Sequence, residues 1–254
     1  LGIGETGRLQ LEIEVRGTSA HASTPWQGSN ALFGLSEVVK RIEAYEAERD
    51  TSTSLFDHLS MFAIEDKPSP GNIDQIIADN EESQPRLASI MKALSRMTIT
   101  PTMIQGGIKS NSVPETVRLT CDIRTLPHQD EAYVRQELGK ILDGIEGVEI
   151  DIDYMSVPNA SPFETEFAER IQISTANALN RDDIQWVPSL TTGFTDSRFT
   201  RNLGTTTYGM VGSDPDDDPM ISFVHGTNES VGIRSLISGT RIMVALAYDL
   251  LAVK

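Results

Sequence analysis

Cysteine is nearly missing from this chain. Cys121 is its one thiol, which excludes a disulfide framework, and its place among the apolar alternates of a predicted strand makes it a buried thiol. Long apolar runs are missing too, so no segment is expected to cross a membrane, and Leu1 to Arg8 lack the layout of a signal peptide. Basic residues are scarce: 21 Lys and Arg stand against 37 Asp and Glu, a formal net charge of −16. So negative a surface repels nucleic acid and anionic membranes, and neither is expected as a partner. Nothing calls for an oxidising compartment, and a cytoplasmic location is expected. A length of 254 residues still allows one large domain or two small ones with a real core.

What the chain does have is alternation. Leu9, Leu11, Ile13 and Val15 alternate with Gln10, Glu12, Glu14 and Arg16, which predicts a strand covered on one face and ended by Gly17. A small polar loop follows around His21, from Thr18 to Trp26. From Asn30 the apolar residues Ala31, Leu35, Val38, Val39, Ile42 and Tyr45 keep helical spacing, with Ser29 as the expected cap. Residues 51–98 mix short apolar runs with a Pro- and Gly-bearing turn at 67–72, and read as an insertion of short helices. A strand is predicted over Thr98–Gln105, another over Thr116–Arg124, a helix from Asp130 with Val134, Leu138, Ile141, Leu142 and Ile145 on one face, and a strand from Val148 to Tyr154. Without the insertion the order is βαββαβ, a ferredoxin-like sandwich of four strands with two helices on one side. Its edge strands invite pairing, and a homodimer is expected.

The last hundred residues change to alternating strands and helices, an α/β layer. Ser161-Pro162-Phe163-Glu164 looks like a capping box opening a helix. Strands are expected at Ile184–Leu190, Thr205–Val211 and Met220–Val224, a helix at Asp196–Leu203 stopped by Gly204, and a final helix at Leu236–Ala252. In open sheets ligands gather beyond the carboxyl ends of strands. Two loops qualify, Thr191-Thr192-Gly193-Phe194-Thr195-Asp196 and His225-Gly226-Thr227-Asn228-Glu229.

Single residues read two ways. Arg124, on the polar face of its strand and expected close to Asn111, suits a carboxylate; alternatively Asn111 shapes a turn after Gly106-Gly107 and Arg124 pairs with Asp122. His225 at a strand end is placed either as a metal ligand or as a histidine satisfied by its neighbours, and His21 is equally open. Glu81-Glu82 and the run Asp214-Pro215-Asp216-Asp217-Asp218 read as solvated loops, against a general base and a weak calcium site respectively.

Taken in order, the pieces are more telling. Gly17-Thr18-Ser19-Ala20-His21-Ala22-Ser23-Thr24-Pro25 with Gly28 and Asn30-Ala31, Gly106-Gly107 with Asn111 and Val113-Pro114, Asp122-Ile123-Arg124 with Leu126-Pro127, Gly193-Phe194-Thr195-Asp196-Ser197-Arg198-Phe199 and His225-Gly226-Thr227-Asn228-Glu229 resemble the zinc aminoacylase and carboxypeptidase family. That is peptidase family M20, which includes acetylornithine deacetylase, succinyl-diaminopimelate desuccinylase and carboxypeptidases G and S. The insertion before Thr98 looks most like the carboxypeptidase S branch. The resemblance implies hydrolysis of the amide of an N-acyl amino acid or short peptide at two bridged zinc ions. It makes residues 4–154 the dimerisation, or lid, domain with an insertion at about 51–98, and 155–254 the carboxyl-terminal half of the catalytic domain. It casts His225 as a zinc ligand, His21 as a donor to the oxyanion in the partner subunit's site, Asn111 and Arg124 as the lid's grip on substrate, and Gly193 as a backbone donor beside it. The family's upstream ligands, a His-x-Asp pair, a bridging Asp and a Glu-Glu pair, have no counterpart before His21. With Leu1 in place of a methionine, the chain is therefore expected to be part of a longer enzyme and inactive alone, holding zinc weakly at most. The alternative is a non-catalytic dimerisation or binding protein on the same scaffold.

Overall fold

A computed structural model describes residues 1–210, 212, 214, 217 and 226–252. The sandwich is built on β2 (Gly7–Arg16), β4 (Thr98–Gly106), β6 (Thr116–Thr125) and β7 (Val148–Ser156). They lie in the order β4-β6-β2-β7 with every neighbouring pair antiparallel. Numbered along the chain, that is the 4-1-3-2 order of a ferredoxin-like sheet. β2 and β6 stay in register from Gly7↔Thr125 to Arg16↔Thr116. That register is forced, because a slip of one residue would turn Leu9, Leu11, Ile13, Val15, Val117, Leu119, Cys121 and Ile123, all buried, into solvent. Burial pushes the Cys121 thiol up to about 11.

α1 (Ala31–Glu43) and α4 (Glu131–Leu142) cover that face. α1 buries Ala31, Leu35, Val38 and Ile42, spaced by the helical repeat, and α4 answers with Val134, Leu138 and Ile141. Arg41 of α1 donates to the carbonyls of Ile141 and Asp143, at 3.3 and 2.5 Å, placing a cation on the carboxyl end of α4 where the helix dipole favours one. The cap of α1 is Asn30, whose side chain accepts from the Leu32 N–H at 3.0 Å, and not Ser29: Ser29 is spent pairing its backbone with Thr18.

The insertion is helical. A 3-10 segment (Ser54–Phe62), α2 (Ile73–Asn80) and α3 (Pro85–Leu94) follow one another. Their buried residues, among them Phe56, Leu59, Ile73, Ile76, Met91 and Leu94, form a second core with Ile3 and Leu190. Those two residues belong to β1 (Gly2–Glu5) and β9 (Ser189–Thr191), which pair in parallel, while β8 (Asn159–Ala160) joins β1 from the other side. Gly4 is required there, because a Cβ would lie 2.3 Å from the Asn159 carbonyl. α5 (Glu166–Leu179), α6 (Ser197–Asn202) and α7 (Ile233–Leu251) complete this part, with Arg170 of α5 reaching Asp249 of α7 at 3.2 Å.

Three expectations fail here for local reasons. The capping box at Ser161 is not used: Ser161 is buried and exchanges hydrogen bonds with Thr207, and α5 starts later, capped by Thr165 on the Ala168 N–H at 3.1 Å. Of Ile184–Leu190 only the end is strand. Thr205–Met210 contributes one isolated bridge, Gly2↔Gly209. Met220–Val224 lies outside the described residues. Among those described, no helix is long and apolar enough to cross a membrane.

Candidate functional site

At the amino end of β6 two short strands meet. Ala20–His21 (β3) pairs with Ser112–Val113 (β5), and the Ala22 N–H donates to the Asn111 carbonyl at 3.0 Å. Gly107, at φ 77°, makes the turn that brings Asn111 there. His21 and Asn111 are both exposed. The Ser23 N–H donates to His21 Nδ1 at 3.2 Å, with Ser23 Oγ at 2.7 Å. With Nδ1 accepting, the proton of the neutral ring sits on Nε2, which is left as an outward donor. Beside these strands an open cleft of about 700 Å³ runs between Gly106-Gly107 and the ion pairs of Glu14 with Arg16 and Arg118. The hydrogen bond from Arg16, then that from Arg118, holds the Glu14 carboxyl below the usual carboxylate range.

At the carboxyl end of β6 the charges converge. Asp122 accepts from Arg124 Nε at 2.6 Å and from Arg8 Nε at 2.7 Å. One carboxylate thus reconciles two guanidinium groups that the strand register sets directly opposite each other. Arg124 then reaches the loop at 191–196, where Nη1 donates to the Thr192 carbonyl at 3.0 Å. Gly193 is next in that loop, its N–H turned to Thr191 Oγ1 at 3.3 Å. Phe194 lies under Arg8, 5.1 Å from guanidinium carbon to ring centroid, and under Arg198 at 4.5 Å. Behind the loop, Thr195 donates to Glu5, and Arg201 lies 3.5 Å from the same carboxylate oxygen with side-chain exposures of 5% and 2%. The other Glu5 oxygen is buried and has no hydrogen-bond partner among the described residues.

The structure therefore brings Arg124 to Gly193, and His21 to Asn111, but separates the two pairs. Eight strand steps from Thr116 to Arg124 amount to about 26 Å, so the expected closeness of Asn111 and Arg124 does not hold within one chain. The expectation overlooked that the two residues flank opposite ends of a long strand. The pairing of Arg124 with Asp122 is present together with its reach into the loop. His225 lies outside the described residues. Glu81-Glu82 sits at the exposed end of α2, far in the chain from either pair. Among the described residues no group of three or more His, Cys, Asp or Glu is arranged to hold a metal ion, so they do not by themselves make a zinc centre.

Sequence reasoning missed Glu5, Arg8, Arg198 and Arg201. Their signals were present but faint: Glu5 is the one acid in a strand of otherwise small and apolar residues, and Arg198 and Arg201 lie one helical turn apart beside the glycine loop.

The chain matches relatives along most of its length. Carboxypeptidase S of Saccharomyces cerevisiae is 23% identical over 286 aligned residues, covering 96% of this chain and 48% of the relative. The N-fatty-acyl-amino acid synthase/hydrolase of Homo sapiens is 23% identical, covering 98% and 50%. Among solved structures, the M20 family metallo-carboxypeptidase Sso-CP2 of Sulfolobus solfataricus superposes with a TM-score of 0.63 at 16% identity, covering 96% of this chain and 58% of that one. The chain thus spans about half the length of the curated relatives it matches. The family described as the peptidase dimerisation domain of M20 matches residues 3–147, more than half of the sequence, and the chain belongs to the M20 peptidase family.

Proposed function

We propose that this chain is the lid and the second catalytic half of a zinc-dependent amidohydrolase or peptidase that frees an amino acid from an N-acyl amino acid or a short peptide. Residues 4–154 are the dimerisation, or lid, domain with its insertion at about 51–98, and 155–254 the carboxyl-terminal half of the catalytic domain. One observation carries the reading: the lid strand β6 delivers the Arg124 guanidinium onto the loop of Gly193. Arg124 gives Nε and Nη2 to Asp122 and one Nη1 hydrogen to Thr192, and the Nη hydrogens left over take a substrate carboxylate, with the Gly193 N–H joining them once it leaves Thr191 Oγ1.

His21 and Asn111 stand at the other end of the lid, too far from Arg124 to serve the same site, and we assign them to the site of the second subunit of a homodimer. There the His21 Nε2–H stabilises the negative charge that develops on the carbonyl oxygen. We assign His225, which lies outside the described residues, as a zinc ligand. The chemistry a zinc pair would supply, were the remaining ligands present, is a polarised carbonyl and a hydroxide nucleophile. The chain alone lacks appreciable hydrolytic activity, and the enzyme works in the cytoplasm.

The test is the intact gene product, purified with zinc and assayed on a broad panel of N-acyl amino acids and dipeptides. Metal-dependent release of an amino acid is the expected result. No hydrolysis across the panel would leave a non-catalytic dimerisation protein as the better description. Turnover by the 254-residue chain alone would contradict the assignment of a half-site to it.

A further inference from the structure

Resting on that reading, we infer that the substrate carries a second carboxylate, on the side chain of the amino acid it releases, and that Arg198 receives it. Arg8 and Arg124 reach the segment 191–199, Arg198 lies in it and Arg201 follows it, and three of the four have acidic partners. Arg8 and Arg124 share Asp122, and Arg201 pairs with Glu5 and also donates to Asn159 Oδ1 and the Thr207 carbonyl. Arg198 makes no side-chain hydrogen bond and no ion pair among the described residues.

Yet Arg198 is not a loose surface cation. It is half-buried, with its guanidinium carbon 4.5 Å from the ring centroid of Phe194 and 4.5 Å from that of Phe199. Cation–π attraction to two rings restrains the guanidinium, while none of its five N–H donors is taken by a described residue. A cation held in place with its donors unused is prepared for a planar anion. The local charge agrees. Arg8, Arg124 and Arg198 outnumber Asp122 and the exposed Asp196 in a chain whose formal charge is −16, so this loop is a cationic spot on an acidic surface and favours substrates of high negative charge. Arg124 grips the carboxylate every N-acyl amino acid has; Arg198, at the start of α6 beside that loop, adds the contact that a neutral side chain cannot make.

N-acetyl-L-glutamate and N-acetyl-L-glutamine, matched in shape and different in charge, test this. Both are titrated calorimetrically into the chain and offered to the zinc-supplied intact gene product. The glutamate compound is expected to be favoured roughly tenfold in Kd and in kcat/KM, the size of one charge-assisted bidentate contact. Arg198→Gln is expected to abolish that preference by weakening the glutamate compound about tenfold relative to the glutamine compound, with an unchanged circular-dichroism spectrum and melting midpoint showing that the variant is folded. Equal treatment of the two compounds by the wild type, or an undiminished preference in Arg198→Gln, overturns the inference and leaves the proposed reaction standing. Hydrolysis of neither compound, nor of any other N-acyl amino acid, overturns both.

Discussion

The two ends of β6 are built in opposite ways. At the carboxyl end, ionic groups are packed against one another and against the loop at 191–196, and the Glu5–Arg201 pair is all but excluded from solvent. At the amino end, His21 is exposed on a strand two residues long and Asn111 on the turn before its partner strand, held by backbone bonds and by Ser23. The first arrangement fixes groups before any ligand arrives, at the cost of desolvating charge. The second presents groups outward on a thin support, which suits a surface that another subunit completes. Position is secured by burial in one case and by recruitment in the other.

The largest effect that can break this contrast is on stability. Arg201→Met leaves the Glu5 carboxylate enclosed with Thr195 alone, and a loss of about 3–5 kcal/mol is expected in urea unfolding. A loss no larger than that of an exposed pair would make the two ends alike. Next comes His21→Ala, which is expected to leave the unfolding midpoint unchanged while lowering kcat of the intact product about 10²- to 10³-fold. Mixing His21→Ala with Arg124→Ala subunits sharpens the point, because random pairing restores about a quarter of the sites if the two ends serve different subunits of a two-fold dimer. No recovery on mixing would place both ends in one site.

The smallest expected effect is one of pH at the exposed end. The folded-state Glu14 carboxyl lies below its ordinary value of 4.5, owing first to the Arg16 hydrogen bond and then to Arg118. A lowered carboxylate adds stability above its unfolded value and loses it as pH falls through the folded one. Thermal unfolding of Glu14→Gln should therefore differ less from wild type below that window than above it. A difference that grows on acidification would have the wrong sign.

The sandwich was legible because its strands are long and one-sided. Ten residues of strict alternation in β2 leave one face to bury, and the helices between carry the 3.6 period. The second part was not, because β1 is Gly2-Ile3-Gly4-Glu5, too short and glycine-rich to show a period, and its partner β9 lies some 185 residues away. Ser161 shows how a correct local pattern loses to tertiary demand: it has the spacing of a cap, but a buried hydroxyl facing Thr207 is worth more there. His21, Asn111 and Gly193 were visible through their motifs. Their distribution over two distant places was not, since a motif records neighbours in sequence and β6 sets the distance between them.

The placement of the helical insertion bears on how the molecule deforms. Ala47 lies in the first core and Leu55 in the second, and the chain returns from Leu94 in the second to Met97 in the first. With the passages from Ile3 to Leu9 and from Ile152 to Phe163, the backbone runs between the cores four times. The Asp50 N–H closes the insertion on the Ser95 carbonyl at 2.8 Å, so two of those passages start side by side. Two bodies joined by a pair of strands can swing; joined by four, in two separate seams, they resist torsion and share any strain placed on either. Melting one core would then drag the ends of the other open, and a calorimetric scan should show one transition, where two resolved peaks would mean that the seams transmit nothing.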